Sequence, residues 1–153
     1  IDTSAAMLRL ATRRIAAHDR TRVTFERADV RTLTPAPESW DAVLTMFVLD
    51  CLSPAEVRAV AARLSDGLCP GGNWLFADFA IPKRGWRHVR ARCWVALLYA
   101  FFRWQTGIEA TTLPPMERIL EETGLVAAET TEFQAGMVRA VRWTRPSRSS
   151  SHA

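Results

Sequence analysis

Lysine is almost missing from these 153 residues. Lys83 is the only one, so arginine supplies nearly all of the 20 basic side chains, which stand against 16 acids for a formal net charge of +4. A surplus that small, with no basic stripe interleaved with aromatics, makes no case for a nucleic-acid partner. Cysteine is scarce and odd in number, at Cys51, Cys69 and Cys93, with no C-x-x-C pair. That spacing excludes a disulfide framework and a structural zinc site, predicts no metal, and fits a reducing, cytoplasmic setting. Long apolar runs are absent too. The longest, Cys93 to Phe102, falls short of the roughly 18 residues that a membrane span requires. Gly and Pro, at 7 and 8 residues, are too few for a low-complexity chain. No G-x-G-x-x-G occurs, because Gly67 and the Gly71-Gly72 pair precede a strand pattern instead of opening a helix. The sequence opens on Ile1-Asp2, without a Met or a signal-peptide pattern, inside what already reads as structure, so its first element is expected to lie upstream.

With 48% of its residues apolar, the chain has enough for one core and not for two. Ser4, followed by Met7, Leu8, Leu10, Ala11 and Ile15, predicts an N-capped helix from about Ala5 to His18. Arg22 to Glu26 alternates polar and apolar residues and predicts a short strand that leads to Asp29. Asp41 to Phe47 is nearly continuous in apolar residues, the pattern of a strand covered on both faces of a parallel sheet. Ser53-Pro54-Ala55-Glu56 is a capping box with proline at the first helical position, and its helix should end near Asp66-Gly67. Cys69-Pro70-Gly71-Gly72 predicts a turn, and Asn73 to Phe79 a buried strand. A helix starting in Thr112 to Met116 and stopping at Gly124, then strands over Leu125 to Phe133 and Met137 to Trp143, predict an antiparallel close. Residues 146–153 read as a disordered tail. The alternation points to an open α/β sheet, mostly parallel with a final antiparallel pair, and to a ligand site along the carboxyl ends of its strands.

On these elements the sequence resembles a class I S-adenosylmethionine-dependent methyltransferase. The carriers are Ile1-Asp2-Thr3-Ser4 with Met7-Leu8 and Ala11, then Ala28-Asp29-Val30, then Trp40-Asp41-Ala42-Val43-Leu44 running to Phe47, then Leu68-Cys-Pro-Gly-Gly72 before Trp74-Leu75-Phe76. The resemblance implies a Rossmann-like domain over 1–145 with S-adenosyl-L-methionine as cofactor. In it, Asp2 would accept from the ribose hydroxyls with Thr3 beside it, and Met7 would pack on the adenine. Asp29 would accept from the adenine amino group beside the Val30 N–H, while Met46, Phe47 and Val48 would line the methionine end. Methyl transfer from a sulfonium needs alignment and exclusion of water, and a general base only for an unionised acceptor. Asp50, Asp78 and His88 are the candidates for that base. The aromatic stretch at about 81–112, with Trp86, Trp94, Tyr99 and Phe102, falls where such enzymes insert acceptor-binding elements. It predicts a small hydrophobic or aromatic acceptor, core packing and contact with a membrane surface being the other readings of the same residues.

The glycine-rich loop of such enzymes is missing. It should lie roughly 20 residues before the ribose-binding acid, and Asp2 holds that acid position, so the sequence reads as N-terminally truncated, with the loop and the first strand upstream of Ile1. Two other classes compete. A nicotinamide-dependent oxidoreductase also carries an acid after its second strand but gives no reason for Asp29 or the antiparallel close. A non-catalytic binding module would use the same fold as a surface. An RNA methyltransferase would need the basic, aromatic stripe that is lacking.

Overall fold

The computed structural model describes residues 1–80 and 115–147. The predicted acceptor segment, with His88, Trp86, Trp94, Tyr99 and Phe102, and most of the C-terminal tail lie outside the described residues. The chain divides into two units, Ile1–Thr34 and Pro35–Ala153.

In the first unit Ser4 caps α1, Ala5–Arg14, its hydroxyl accepting from the Met7 N–H at 3.4 Å. The helix stops four residues short of the predicted end because Ile15 is extended, and a 3₁₀ turn, Ala17–Asp19, follows. The predicted strand at Arg22 to Glu26 does not form a ladder. Only one parallel bridge, Asp2 to Arg27, joins the two extended segments. A strand is stable only beside a partner of comparable length, and the one that residues 1–4 offer is very short.

The second unit is built on a mixed sheet of four strands: β1, Trp40–Met46; β2, Leu68–Phe79; β3, Val126–Phe133; and β4, Val138–Thr144. Their order is β1-β2-β4-β3, with β1 parallel to β2 and the other two pairings antiparallel. The parallel pair is joined through α2, Pro54–Gly67, which opens on the predicted capping box. The Glu56 N–H donates to Ser53 Oγ at 3.3 Å, and the Ser53 N–H to Glu56 Oε2 at 2.9 Å. At the other end of α2, Arg145 Nη1 donates to the carbonyls of Ser65 and Asp66 at 3.0 and 3.1 Å. These are orphan acceptors of a helix C-terminus, and a cation is the favoured partner there.

The turn predicted at Cys69 to Gly72 is instead part of β2, which begins five residues early at Leu68. The register runs Trp40 to Leu68 and then Ala42 to Asn73, so the extra residues form a bulge. Gly71 takes φ +81°, and a Cβ on Gly72 would stand 2.8 Å from the Cys69 carbonyl oxygen. The glycine signal that looked like chain reversal is a widening within a strand.

One face of the sheet is covered by α2 and by α3, Met116–Glu122. The core there includes Val57, Val60, Ile119, Leu120, Trp74 and Trp143, all buried. The Trp74 indole N–H donates to Thr45 Oγ1 at 2.8 Å, a buried polar pair that ties β2 to β1. The opposite face corrects the expectation that the Asp41 strand is covered on both sides. Among the described residues β1 is an edge strand, and Leu44 and Met46 are 59% and 54% exposed. Continuous apolar sequence reports that both faces avoid water, and here α2 and α3 cover only one. The open face carries a shallow groove of about 270 Å³ over Leu44, Met46, Leu75, Ala77 and Ala140, with Arg142 and Glu129 at its side.

Candidate functional site

In a parallel pair the carboxyl ends of both strands open at the same edge. At that edge of β1 and β2 the chain leaves Met46 and enters Phe47 at φ +53°, a left-handed conformation that costs a bulky residue on the order of 1–3 kcal/mol. Two contacts hold it. The Phe47 N–H donates to the Ala77 carbonyl at 2.9 Å, and its ring meets that of Phe79 with centroids 5.1 Å apart. Met46, Phe47 and Val48 remain 54%, 45% and 39% exposed, an apolar rim at the strand ends. The sequence pointed to all three, while Phe79, which props Phe47, carried no signal beyond its place at the end of a strand.

Just past this rim the chain makes a 3₁₀ turn, Leu49–Cys51, and drops Asp50 beside Asp78, the penultimate residue of β2. Both acids are buried, at 6% and 2% exposure. Asp78 accepts twice from backbone, Oδ2 from the Asp50 N–H at 3.2 Å and Oδ1 from the Phe79 N–H at 2.9 Å. The Asp50 N–H thus ties the turn to the Asp78 carboxyl, and Cys51 Sγ donates to Asp50 Oδ1 at 3.5 Å. Burial, and then the charge of Asp50, push the Asp78 carboxyl up to about 8, and burial raises Asp50 as well. The Cys51 thiol is driven up to about 12 by burial and by the neighbouring acids, so it stays protonated and unreactive. Sequence reasoning named Asp50 and Asp78 separately. That both stand at the carboxyl ends of adjacent parallel strands was the signal that they would meet.

The first unit is arranged around Asp2 and Asp29. Asp2 Oδ1 accepts the Ser4 N–H at 2.7 Å, which anchors the carboxylate at the start of α1. The Asp2 to Arg27 bridge and the Asp2 N–H to Glu26 carbonyl bond, 3.2 Å, set the two predicted acid-bearing segments side by side. Thr3 contributes its carbonyl to Arg27 Nε at 3.0 Å. Met7 is 54% exposed on α1, so it is a surface side chain of this unit and not core. Asp29 is engaged by its own neighbour. The Arg31 Nε and Nη2 groups donate to Oδ2 at 2.9 and 2.7 Å, the Arg31 backbone N–H donates to Oδ1 at 2.9 Å, and this grip holds the carboxyl below the usual range. Nothing in the residue pattern pointed to Arg31, which already occupies this carboxylate. Val30, half-buried, follows directly. Among the described residues no cluster of His, Cys, Asp and Glu could hold a metal, and no helix is long and apolar enough to cross a membrane.

Comparison with known proteins gives this geometry a context. Residues 1–72 match the family model of a methyltransferase domain. An S-adenosylmethionine-dependent methyltransferase from Mesorhizobium loti has a TM-score of 0.65 at 18% identity, over 94% of this chain and 78% of that one. The N-methyltransferase NodS of Bradyrhizobium japonicum WM9, solved with S-adenosyl-L-homocysteine, scores 0.61 at 18% identity, over 95% and 64%. A Bordetella parapertussis protein described as a possible exported protein scores 0.63 at 20% identity, over 92% and 49%. The chain thus spans about half the length of that last protein. No curated protein matches its sequence. The α/β, Rossmann-like fold and the family resemblance read from the sequence are borne out.

Proposed function

We propose that this chain, part of a class I methyltransferase domain, serves S-adenosyl-L-methionine-dependent methyl transfer to a small hydrophobic or aromatic acceptor in the cytoplasm. The observation that carries the reading is the position of the family match. Residues 1–72 contain every candidate for cofactor contact: Asp2, Thr3, Met7, Asp29, Val30, Met46, Phe47 and Val48. The strand order of the second unit, a parallel pair finished by an antiparallel pair, supports it.

The residues present fit such a cofactor in kind. Asp2 is an anchored carboxylate suited to a vicinal diol, which needs an acceptor-only group. Exposed Met7, Met46 and Phe47 are apolar surfaces that gain by being covered. Bound S-adenosylmethionine supplies a methyl group on a sulfonium, already activated for in-line displacement. The tasks left to the protein are alignment and exclusion of water, worth several kcal/mol of barrier where the geometry is tight. Asp29 keeps its bonds to Arg31 and has lone pairs left to accept a further hydrogen bond from the ligand's amino group. Acceptor recognition is assigned to the aromatic stretch with Trp86, Trp94, Tyr99 and Phe102, and proton removal, where the acceptor needs it, to one of Asp50, Asp78 and His88.

Calorimetric titration of the full-length protein, with the segment upstream of Ile1 included, against S-adenosylhomocysteine and, in parallel, NAD tests the reading. Binding of the first alone is expected, weakened at least tenfold in an Asp2→Ala variant, since a lost hydrogen bond to a charged group is worth about 1.5–3 kcal/mol. Binding of NAD alone would move the chain to the oxidoreductases. Binding of neither would leave the interaction-module reading in its place.

A further inference from the structure

Asp29 is held by its own turn from two sides. Its backbone carbonyl accepts the Thr32 N–H at 3.0 Å and Thr32 Oγ1 at 3.1 Å. Its carboxylate accepts the Arg31 backbone N–H on Oδ1 at 2.9 Å and Arg31 Nη2 on Oδ2 at 2.7 Å, with Nε set between the two oxygens at 3.1 and 2.9 Å. A planar guanidinium fixes the plane of the carboxylate it faces, whereas an ammonium in the same place acts as a point charge. We propose that Arg31 is a positioning residue for base recognition: its fork holds the Asp29 carboxylate in the plane and direction in which it accepts an amino group, so that the site selects adenine over hypoxanthine. The proposal rests on the cofactor reading above and adds to it a residue that acts through Asp29.

The same grip sets what the carboxylate can recognise. The guanidinium beside it keeps Asp29 ionised, and an ionised carboxylate only accepts. It offers about four acceptor sites, and the backbone N–H, Nε and Nη2 of Arg31 use three of them, which leaves a place for a ligand N–H. Hypoxanthine carries an oxo group where adenine carries the amino group, so acceptor would meet acceptor at Asp29. Its ring N–H would likewise meet the Val30 N–H, donor against donor. Arg27, in the same segment, has a different task. Its Nε donates to the Thr3 carbonyl at 3.0 Å and, with the Asp2 to Arg27 bridge, fastens the segment that leads to Asp29 to the one that carries Asp2.

The full-length protein, with the segment upstream of Ile1 included, is titrated calorimetrically with S-adenosylhomocysteine and with S-inosylhomocysteine, its hypoxanthine analogue. The parent should prefer the first by about tenfold or more, the scale of a hydrogen bond to a charged group. Arg31→Gln keeps the backbone N–H and both Thr32 bonds, so the turn survives and only the fork is lost. Its preference should fall by about two- to tenfold, the range for a side chain that must be ordered on binding. Arg31→Lys should fall with it, because a point charge does not fix a plane. Arg27→Gln should weaken both ligands alike and keep the parent's preference. In an Asp29→Asn background Arg31→Gln should change the preference no further, which a merely structural role in the turn would not give. A preference that is unchanged or raised in Arg31→Gln, or lost equally in Arg27→Gln, overturns the proposal while the cofactor reading stands. A parent that binds both ligands equally removes the contact of Asp29 with the base and the proposal with it. A parent that binds neither overturns the cofactor reading and, through it, the proposal.

Discussion

The pair that ties β1 to β2 inside the core lends itself to a quantitative test. Thr45 and Trp74 are 7% and 0% exposed, and the indole N–H has its acceptor in Thr45 Oγ1 at 2.8 Å. Thr45→Val keeps the shape of the side chain and exchanges the hydroxyl for a methyl. It leaves a buried donor unsatisfied, at about 1–3 kcal/mol, and regains part of that through the apolar gain of the new methyl, at most about 0.8 kcal/mol. The expected net loss is about 1–2 kcal/mol. Thr45→Ser keeps the acceptor and loses a methyl, for a loss of about 1 kcal/mol or less. Urea unfolding followed by far-UV circular dichroism measures both, with an unchanged slope marking a change of stability and not of the unfolded state. The second half of the cycle uses Trp74→Phe, in which no indole N–H remains to be stranded. In that background Thr45→Val should be neutral or stabilising. A Thr45→Val variant as stable as the parent, or one that loses equally in both backgrounds, would refute the account of this bond.

Three further outcomes are expected. Ser53→Ala removes one half of the capping box of α2 and should cost about 1 kcal/mol, read as a lower urea midpoint. Gly72→Ala pushes a Cβ to within 3.0 Å of two backbone carbonyl oxygens, those of Cys69 and Asp41, neither of which can rotate away. It should destabilise by more than Gly71→Ala, whose cost is the positive φ alone, on the order of 1 kcal/mol. Stability should also fall as pH rises from 5 to 8. The folded Asp78 carboxyl keeps its proton up to about 8, whereas an unfolded aspartate gives it up near 3.8. The folded state therefore binds the extra proton in that window, and stability drops by up to about 1.4 kcal/mol per pH unit. The Asp29 effect has the opposite sign and falls below the ordinary carboxylate range, clear of this window. A urea midpoint constant from pH 5 to 8 would contradict the raised Asp78 carboxyl.

What the sequence disclosed follows the range of the interactions involved. The start and end of α2 were legible because a capping box is a contact between residues three apart, and its chemistry is written in the residue types. The hairpin of β3 and β4 was legible for the same reason. Features set by distant partners were misread or missed. Cys69 to Gly72 has turn composition, yet its conformation is decided by pairing with β1, some 30 residues earlier by the Trp40 to Leu68 register. Arg22 to Glu26 alternates like a strand, but among the described residues it forms no ladder, and only the single bridge from Asp2 to Arg27 follows it. Within the site, the acids were named from their place at strand ends, whereas the Asp50 to Asp78 contact, the Arg31 grip on Asp29 and the left-handed Phe47 depend on geometry that composition does not encode.

The strand order also dictates a schedule. β3 touches the sheet only through β4, which is inserted between β3 and β2. On a nascent chain β3 emerges first and has no place to attach until β4 has been made. The Arg145 side chain that closes the end of α2 arrives one residue after β4 ends. Helix α2 and the parallel pair must therefore wait, with the β2 edge unpaired and the α2 carbonyls unanswered, until β4 and Arg145 have left the ribosome. A stop codon before residue 138 would remove far more than one strand: it would leave β3 unattached, β2 with a bare edge and α2 uncapped. Such a product is a natural substrate for chaperones and proteases, which makes full-length synthesis a condition of this sheet existing at all.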